Sequence, residues 1–191
     1  MIPYQHFWES FDFMNAFELK ILDFIQSTFA CGFLDGAMKI ITAVGEAKTL
    51  IAITAVLLLF KKTRKIGIYA AVSMILGLIV ANGIIKNLID RPRPCDLNEA
   101  FNLIIERPYD SSFPSGHATA CFGFTTVLMK KCKRFGIPAL VLTILVAFSR
   151  LYLYLHFPTD VLTGAAIGII MGILGCAAVD IIYKKLGGKN G

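Results

Sequence analysis

Four cations, two histidines and an aspartate stand where apolar runs begin or end, in three short polar islands. The first is KNLIDRPRP, with Lys86, Arg91 and Arg93; the second is FPSGH, with Ser115, Gly116 and His117; the third is SRLYLYLHFPTD, with Ser149, Arg150, His156 and Asp160. Each group has a plain structural explanation. A lysine closing an apolar helix snorkels to the interface and complements the helix C-terminus. Arginines beside prolines mark a helix stop, Pro114 and Pro158 suit a first helical turn, and an interfacial histidine offers an apolar ring with a polar tip. Singly these suffice. They do not explain why four cations and two of the chain's three histidines gather at such ends.

A phosphate accounts for the set. It is a tetrahedral anion whose oxygens need donors; arginine supplies a fork and lysine a point charge. With Pro114 as the first helical residue, the amides of Ser115 and Gly116 lie among the free N–H groups of the first turn, where the helix dipole favours an anion. Gly116 lets the anion approach the backbone, and the Ser115 hydroxyl adds a donor. His156 precedes a helix expected to start at Pro158, and Asp160, four residues on, folds back toward it. A carboxylate on one ring nitrogen fixes the tautomer and frees the other nitrogen as nucleophile. His117 follows the phosphate seat directly and is placed to protonate a leaving oxygen. The cations stabilise the charge of a five-coordinate transition state.

These islands need rigid elements that bring them to one surface. The chain has 191 residues, 56% hydrophobic and only 17% charged, too apolar for an ordinary soluble domain. A membrane span takes roughly 20 mostly apolar residues. Five are expected, over about 46–60, 66–88, 114–129, 137–155 and 158–183. The basic clusters Lys61–Lys65, Lys130–Arg134 and Lys184–Lys189 then share one side, and basic loops stay in the cytoplasm. The three islands fall on the other side, outward. The net charge of +6 comes from these short clusters, which speaks against nucleic acid as a partner. Residues 1–45 read as an N-terminal interfacial or amphipathic helical segment, with Phe17, Ile21, Ile25 and Phe29 at helical spacing, or as a sixth, impure span. The expected organisation is that segment, a transmembrane core over 46–184 and a cytoplasmic tail over 185–191. The five cysteines show no metal-binding spacing; Cys121, Cys132 and Cys176 read as small packing residues, with room for a Cys31–Cys95 disulfide.

The islands also carry a resemblance. The chain resembles the type-2 phosphatidic acid phosphatase superfamily of membrane-integral lipid phosphatases, whose signature is Lys-x6-Arg-Pro, then Pro-Ser-Gly-His, then Ser-Arg-x5-His-x3-Asp. All three parts are present: Lys86 to Arg93-Pro94, Pro114 to His117, and Ser149-Arg150 through His156 to Asp160. The resemblance implies an all-α, integral membrane bundle of five to six transmembrane helices. It also implies a phosphohistidine on His156, aided by Asp160 and released by water, with His117 as acid and then base. Lys86, Arg93, Ser115, Gly116 and Arg150 would hold the phosphoryl group, and Arg91, outside the strict signature, is a candidate substrate contact. Neither metal nor cofactor is implied. The substrate would be a lipid phosphate or diphosphate, such as undecaprenyl diphosphate, phosphatidylglycerol phosphate or phosphatidic acid. Hydrolysis would occur on the extracytoplasmic side of a bacterial plasma membrane, with membrane lipids around the protein and no protein partner expected. Two rival readings stay open. The same phosphohistidine could pass its group to a lipid or sugar hydroxyl, and a non-catalytic lipid-phosphate binder or transporter would also need cations, although transport favours charges at midplane.

Overall fold

In a bilayer every backbone N–H and C=O must find its partner inside the chain, so apolar runs fold as helices. The computed structural model describes residues 4–98 and 101–187, with side chains from residue 13, and is helical with no strand among the described residues. The helices are α1 (Tyr4–Phe29), α2 (Gly32–Val44), α3 (Ala47–Leu59), α4 (Arg64–Leu88), the single turn α5 (Pro94–Leu97), α6 (Gly116–Lys131), α7 (Lys133–Tyr152) and α8 (Pro158–Gly187). Among them α4, α7 and α8 are long and apolar enough to cross a membrane. The pair α2 and α3, bent by 48°, makes a fourth candidate. The expected tail is helical as far as Gly187; the rest of it lies outside the described residues.

Helix α8 is the hub, packing chiefly on α6 and α4, while α6 also packs on α7. The α6–α8 crossing is close because Gly164 has no side chain: a Cβ there would lie 2.5 Å from the Ser115 carbonyl oxygen. Between α6 and α7 the polar groups pair with one another, as Thr125 and Thr143 do at 2.7 Å. Large apolar side chains such as Phe24, Leu59, Leu78, Ile137 and Leu162 face outward, as lipid-facing residues do.

The three basic clusters meet at one end. Lys131 pairs with Asp180 at 2.7 Å and lies over the Tyr69 ring, Tyr69 bonds to Asp180, and Lys65 lies over Tyr183. The polar islands occupy the opposite ends of the same helices.

Three local features differ from the expectations. The apolar face expected on α1 turns inward only in part: Ile25 is buried and Ile21 packs against the core, whereas Phe17 is 61% exposed and Phe29 is also exposed. Asn15, Glu18 and Leu22 are buried as well, so the inward face mixes polar and apolar groups. The fourth expected span stops at Tyr152 because residues 153–157 form a tight turn, with Tyr154 at φ 59°. That left-handed conformation is held by the Tyr154 hydroxyl, which donates to Asp23 (2.7 Å) and accepts from the Asn98 amide (3.3 Å), and by stacking on Phe101. Finally, Cys31 and Cys95 are free thiols, the first exposed and the second buried.

Candidate active site

The polar islands converge on one cavity of about 370 Å³. Lys86, Arg93, Gly116, His117, Arg150 and His156 line it, together with Asp110 and Asn82. Each arrives for a local reason. Lys86 follows a π-helical stretch of α4, Leu78–Ile85, that aims Asn82 and Lys86 at the same space; such stretches are frequent at functional sites. The Asn87 side chain takes up the Gly83 carbonyl at 2.8 Å. Arg93 caps α5 and is only 3% exposed. Arg150 stands in the last turn of α7, where a cation complements the helix dipole, and donates to Thr42 of α2 at 2.6 Å. His156 sits in the turn after α7 and is 1% exposed.

The His156 ring is fixed on one side and open on the other. Nδ1 faces the Ser112 carbonyl oxygen at 2.8 Å. That atom only accepts, so Nδ1 carries the proton and Nε2 keeps its lone pair. Nε2 lies 3.3 Å from Arg93 Nη1, at the cavity wall. Burial pushes the ring's pKa down to about 4, opposed by the nearby Asp160 carboxylate and helped by Arg150 and Arg93. At neutral pH the imidazole is uncharged, as a nucleophile must be.

Asp160 does not fill the direct orienting role expected of it. Its Oδ2 lies 3.7 Å from His156 Nδ1, beyond a hydrogen bond, and accepts instead from Ser112 Oγ at 2.5 Å and the Phe157 amide at 2.8 Å. The Ser112 carbonyl holds the ring, and Asp160 holds Ser112. Ser112 has no place in the signature; a hydroxyl two residues ahead of Pro114 was the one available hint.

Ser115 is also placed differently. Helix α6 starts at Gly116, not Pro114, because Ser115 is its N-cap, with Oγ accepting from the Ala118 amide at 3.4 Å. The Ser115 amide donates to the Asp160 carbonyl at 3.0 Å, so that donor is already engaged. Ser115 thus joins α6 to α8 and leaves the free first-turn amides to Gly116 and its successors. His117 lines the cavity with its Nε2 buried and without a hydrogen-bond partner among the described residues. Arg91, the candidate substrate contact, does not line the cavity; it is buried behind Asp160, to which it donates at 2.5 Å.

Asp110 was not anticipated. Its carboxylate bonds to Lys86 and, at 2.7 Å, to Arg93 Nη2, while its carbonyl takes Arg93 Nε at 2.9 Å. Partial burial raises its pKa, but Lys86 and Arg93 outweigh that and hold it at about 2. A carboxylate therefore rests on two of the cations expected to hold a phosphoryl group.

Away from its polar end the cavity becomes apolar, lined by Ala47 and Ile51 of α3 and by Met74, Ile75 and Leu78 of α4. This arm runs back along α4 from Lys86 to Met74, past the π-helical stretch. Ile51, Ile75 and Leu78 are each more than half exposed, so this arm opens at the outer face of the bundle.

Comparisons with known proteins agree with this geometry. Residues 66–182 match the PAP2 superfamily. The undecaprenyl-diphosphatase of Sulfolobus acidocaldarius is 34% identical over 136 residues, 71% of this chain and 66% of that protein. Undecaprenyl-diphosphatase BcrC of Bacillus subtilis is 30% identical over 121 residues, 63% of this chain and 62% of its own length. The chain thus spans less than two thirds of either relative. Among solved structures, LpxE of Aquifex aeolicus superposes with a TM-score of 0.73 at 28% identity, covering 83% of this chain and 94% of that one. The PAP2-type phosphatidylglycerolphosphate phosphatase of Bacillus subtilis superposes with a TM-score of 0.73 over 88% of this chain and 87% of its own; at 24% identity it speaks to the fold.

Proposed function

Because the chain belongs to the PAP2 superfamily and is an integral membrane protein, we propose that it is a metal-independent lipid phosphatase working through a phosphohistidine on His156. The observation that carries this reading is the placement of His156 Nε2, lone pair outward, 3.3 Å from Arg93 in a cavity also lined by Lys86, Arg150 and His117. Three cations against the one carboxylate of Asp110 leave two positive charges, which suits a phosphate dianion. In the first step Nε2 bonds to the terminal phosphorus, the P–O bond joining that phosphorus to the lipid alcohol or lipid monophosphate breaks, and His117 gives its proton to the departing oxygen. Water then attacks the phosphorus, the P–N bond to His156 breaks, His117 takes a proton from the water, and inorganic phosphate leaves. Lys86, Arg93, Arg150 and the amide of Gly116 bind the equatorial oxygens, where charge develops. Ser115 supports this seat by capping α6.

The substrate class follows from the cavity's two-part lining. A phosphate at the cationic end can leave its chain in the apolar arm, which opens where lipid lies. The names of the relatives point to undecaprenyl diphosphate; phosphatidylglycerol phosphate and phosphatidic acid fit the same chemistry. The shared end of the basic clusters supports a cytoplasmic position for them, and hence a site facing outward from a bacterial plasma membrane. The α2–α3 pair, α4, α6, α7 and α8 then make five crossings, with α1 alongside them.

Phosphate release from undecaprenyl diphosphate in detergent, by the parent and by His156→Ala, tests the reading. The variant should lose turnover by at least a thousandfold, in keeping with loss of a covalent nucleophile. Equal release by both proteins would reject His156 as nucleophile.

A further inference from the structure

Helix α1 precedes the family-matched region, yet its polar face reaches the reaction centre. Asn15 and Glu18 are 5% and 3% exposed. A buried carboxylate is costly unless it is paired and fully bonded, and Glu18 is both. Its Oε1 accepts from the Thr159 amide at 2.7 Å, and its Oε2 from Arg91 Nη2 at 2.5 Å and Thr159 Oγ1 at 3.0 Å. Asn15 Oδ1 accepts from the same guanidinium, from Nε at 3.0 Å and Nη2 at 2.6 Å. The remaining edge of Arg91 donates to Asp160 Oδ1 at 2.5 Å and Thr159 Oγ1 at 2.8 Å, and its flat face lies 4.0 Å from the centre of the Phe157 ring. One buried guanidinium is therefore shared between two buried carboxylates, and the second of these faces His156.

We propose that Glu18 is a positioning residue for the reaction: it holds Arg91, and through it Asp160, in the charge state and place that phosphorylation of His156 requires. The proposal rests on the reading of His156 as nucleophile. When Nε2 bonds to phosphorus, the ring keeps its Nδ1 proton and becomes cationic. Asp160 stays ionised and stabilises that charge from 3.7 Å. A cation bound to Asp160 alone would cancel the carboxylate's field at the ring. Glu18 supplies a second anion to Arg91, so the trio carries a net negative charge toward the imidazolium. Glu18 also caps the first turn of α8, fixing the helix that carries Asp160. The Lys86–Arg93–Arg150 cradle lies on the other side of the ring, so substrate binding and the phosphorylation step respond separately.

The test is steady-state turnover of undecaprenyl diphosphate by the full chain in detergent, with vanadate inhibition and thermal melting measured on the same samples. For Glu18→Gln, kcat should fall about tenfold to a hundredfold, as for loss of an outer partner that orients a reacting group. KM and the vanadate Ki should stay near parent values, while the melting temperature falls, because the amide nitrogen that Glu18→Gln introduces must face a donor of Thr159 or Arg91. Adding Asn15→Asp to Glu18→Gln returns a negative charge to the same guanidinium and should restore kcat to within a few-fold of the parent. Parent-like kcat in Glu18→Gln overturns the proposal. So does a fall in kcat that moves together with KM and Ki and that the relocated charge fails to restore, because Glu18 would then only support the fold. Should Glu18→Gln not fold, the double variant Asn15→Asp/Glu18→Gln carries the test: it keeps one carboxylate on Arg91, and a kcat more than about tenfold below the parent's there overturns the proposal. His156→Ala, run in parallel, separates the two readings, since activity in that variant would refute the nucleophile itself.

Discussion

Asp110 occupies the place where two cations should meet a phosphoryl group, and replacing it by asparagine gives a quantitative test of the cradle. In the resting protein Asp110 bonds to Lys86 and Arg93, so an entering oxyanion must displace the carboxylate or share its partners. The depression of its pKa from 3.8 to about 2 corresponds to about 2.5 kcal/mol of preference for the charged form at 1.36 kcal/mol per unit. The Asp110 side chain is 57% exposed, however, and water screens such pairs until each contributes about 1 kcal/mol or less. Removing the competing charge should therefore tighten binding of a phosphate mimic by about 1 kcal/mol, or about fivefold. Vanadate, which adopts the five-coordinate geometry of phosphoryl transfer, is the probe, and its Ki near neutral pH is the readout. Asp110→Asn should lower that Ki about fivefold, while Glu106→Gln, an exposed change in the same loop, should leave it unchanged. A Ki that rises in Asp110→Asn would refute the reasoning, because Asp110 would then be an organiser of the cations and not a competitor for them. An unchanged Ki would place vanadate away from Lys86 and Arg93.

Two other perturbations follow from the geometry. Burial holds the His156 pKa at about 4, below the usual 6.5; the ring therefore stays neutral as pH falls through 6, and NMR titration of the imidazole should find its midpoint well below 5.5. The same depression makes the unfolded chain bind more protons between those values, so stability should decline as pH drops from 6.5 toward 4; a melting temperature flat across that window would contradict it. Gly164→Ala places a methyl against the Ser115 carbonyl, and such overpacking costs about 1–3 kcal/mol; melting in detergent should show the loss, and turnover should fall because Ser115 caps the helix that carries His117.

The signature residues were legible because each sits at a helix end, and the order of apolar runs brings those ends to one side. Lys86, Arg93, Gly116, His117, Arg150 and His156 therefore share a cavity, as their spacing suggested. Competition among donors and acceptors was not legible. Ser115 and Asp160 each satisfy a neighbour before they can serve the site. The Ser112 carbonyl orients His156 through a backbone atom, which no residue type encodes. Asp110 and Thr42 come from loop and helix positions outside any motif. Arg91 reads as a candidate substrate contact until α1 is placed, and α1 misleads because its inward face mixes groups: Phe17 faces outward, while Glu18 faces in beside Leu22 and Ile25. Helix limits were off by a few residues where a cap or turn decides, at Ser115 and at Tyr152.

The apolar arm beside Ile51, Ile75 and Leu78 has a kinetic corollary. A reactant arriving through it diffuses in two dimensions, and its effective concentration is a mole fraction of the surrounding amphiphile. Adding more detergent at constant total substrate should slow turnover by dilution within the film, even though the bulk molarity has not changed.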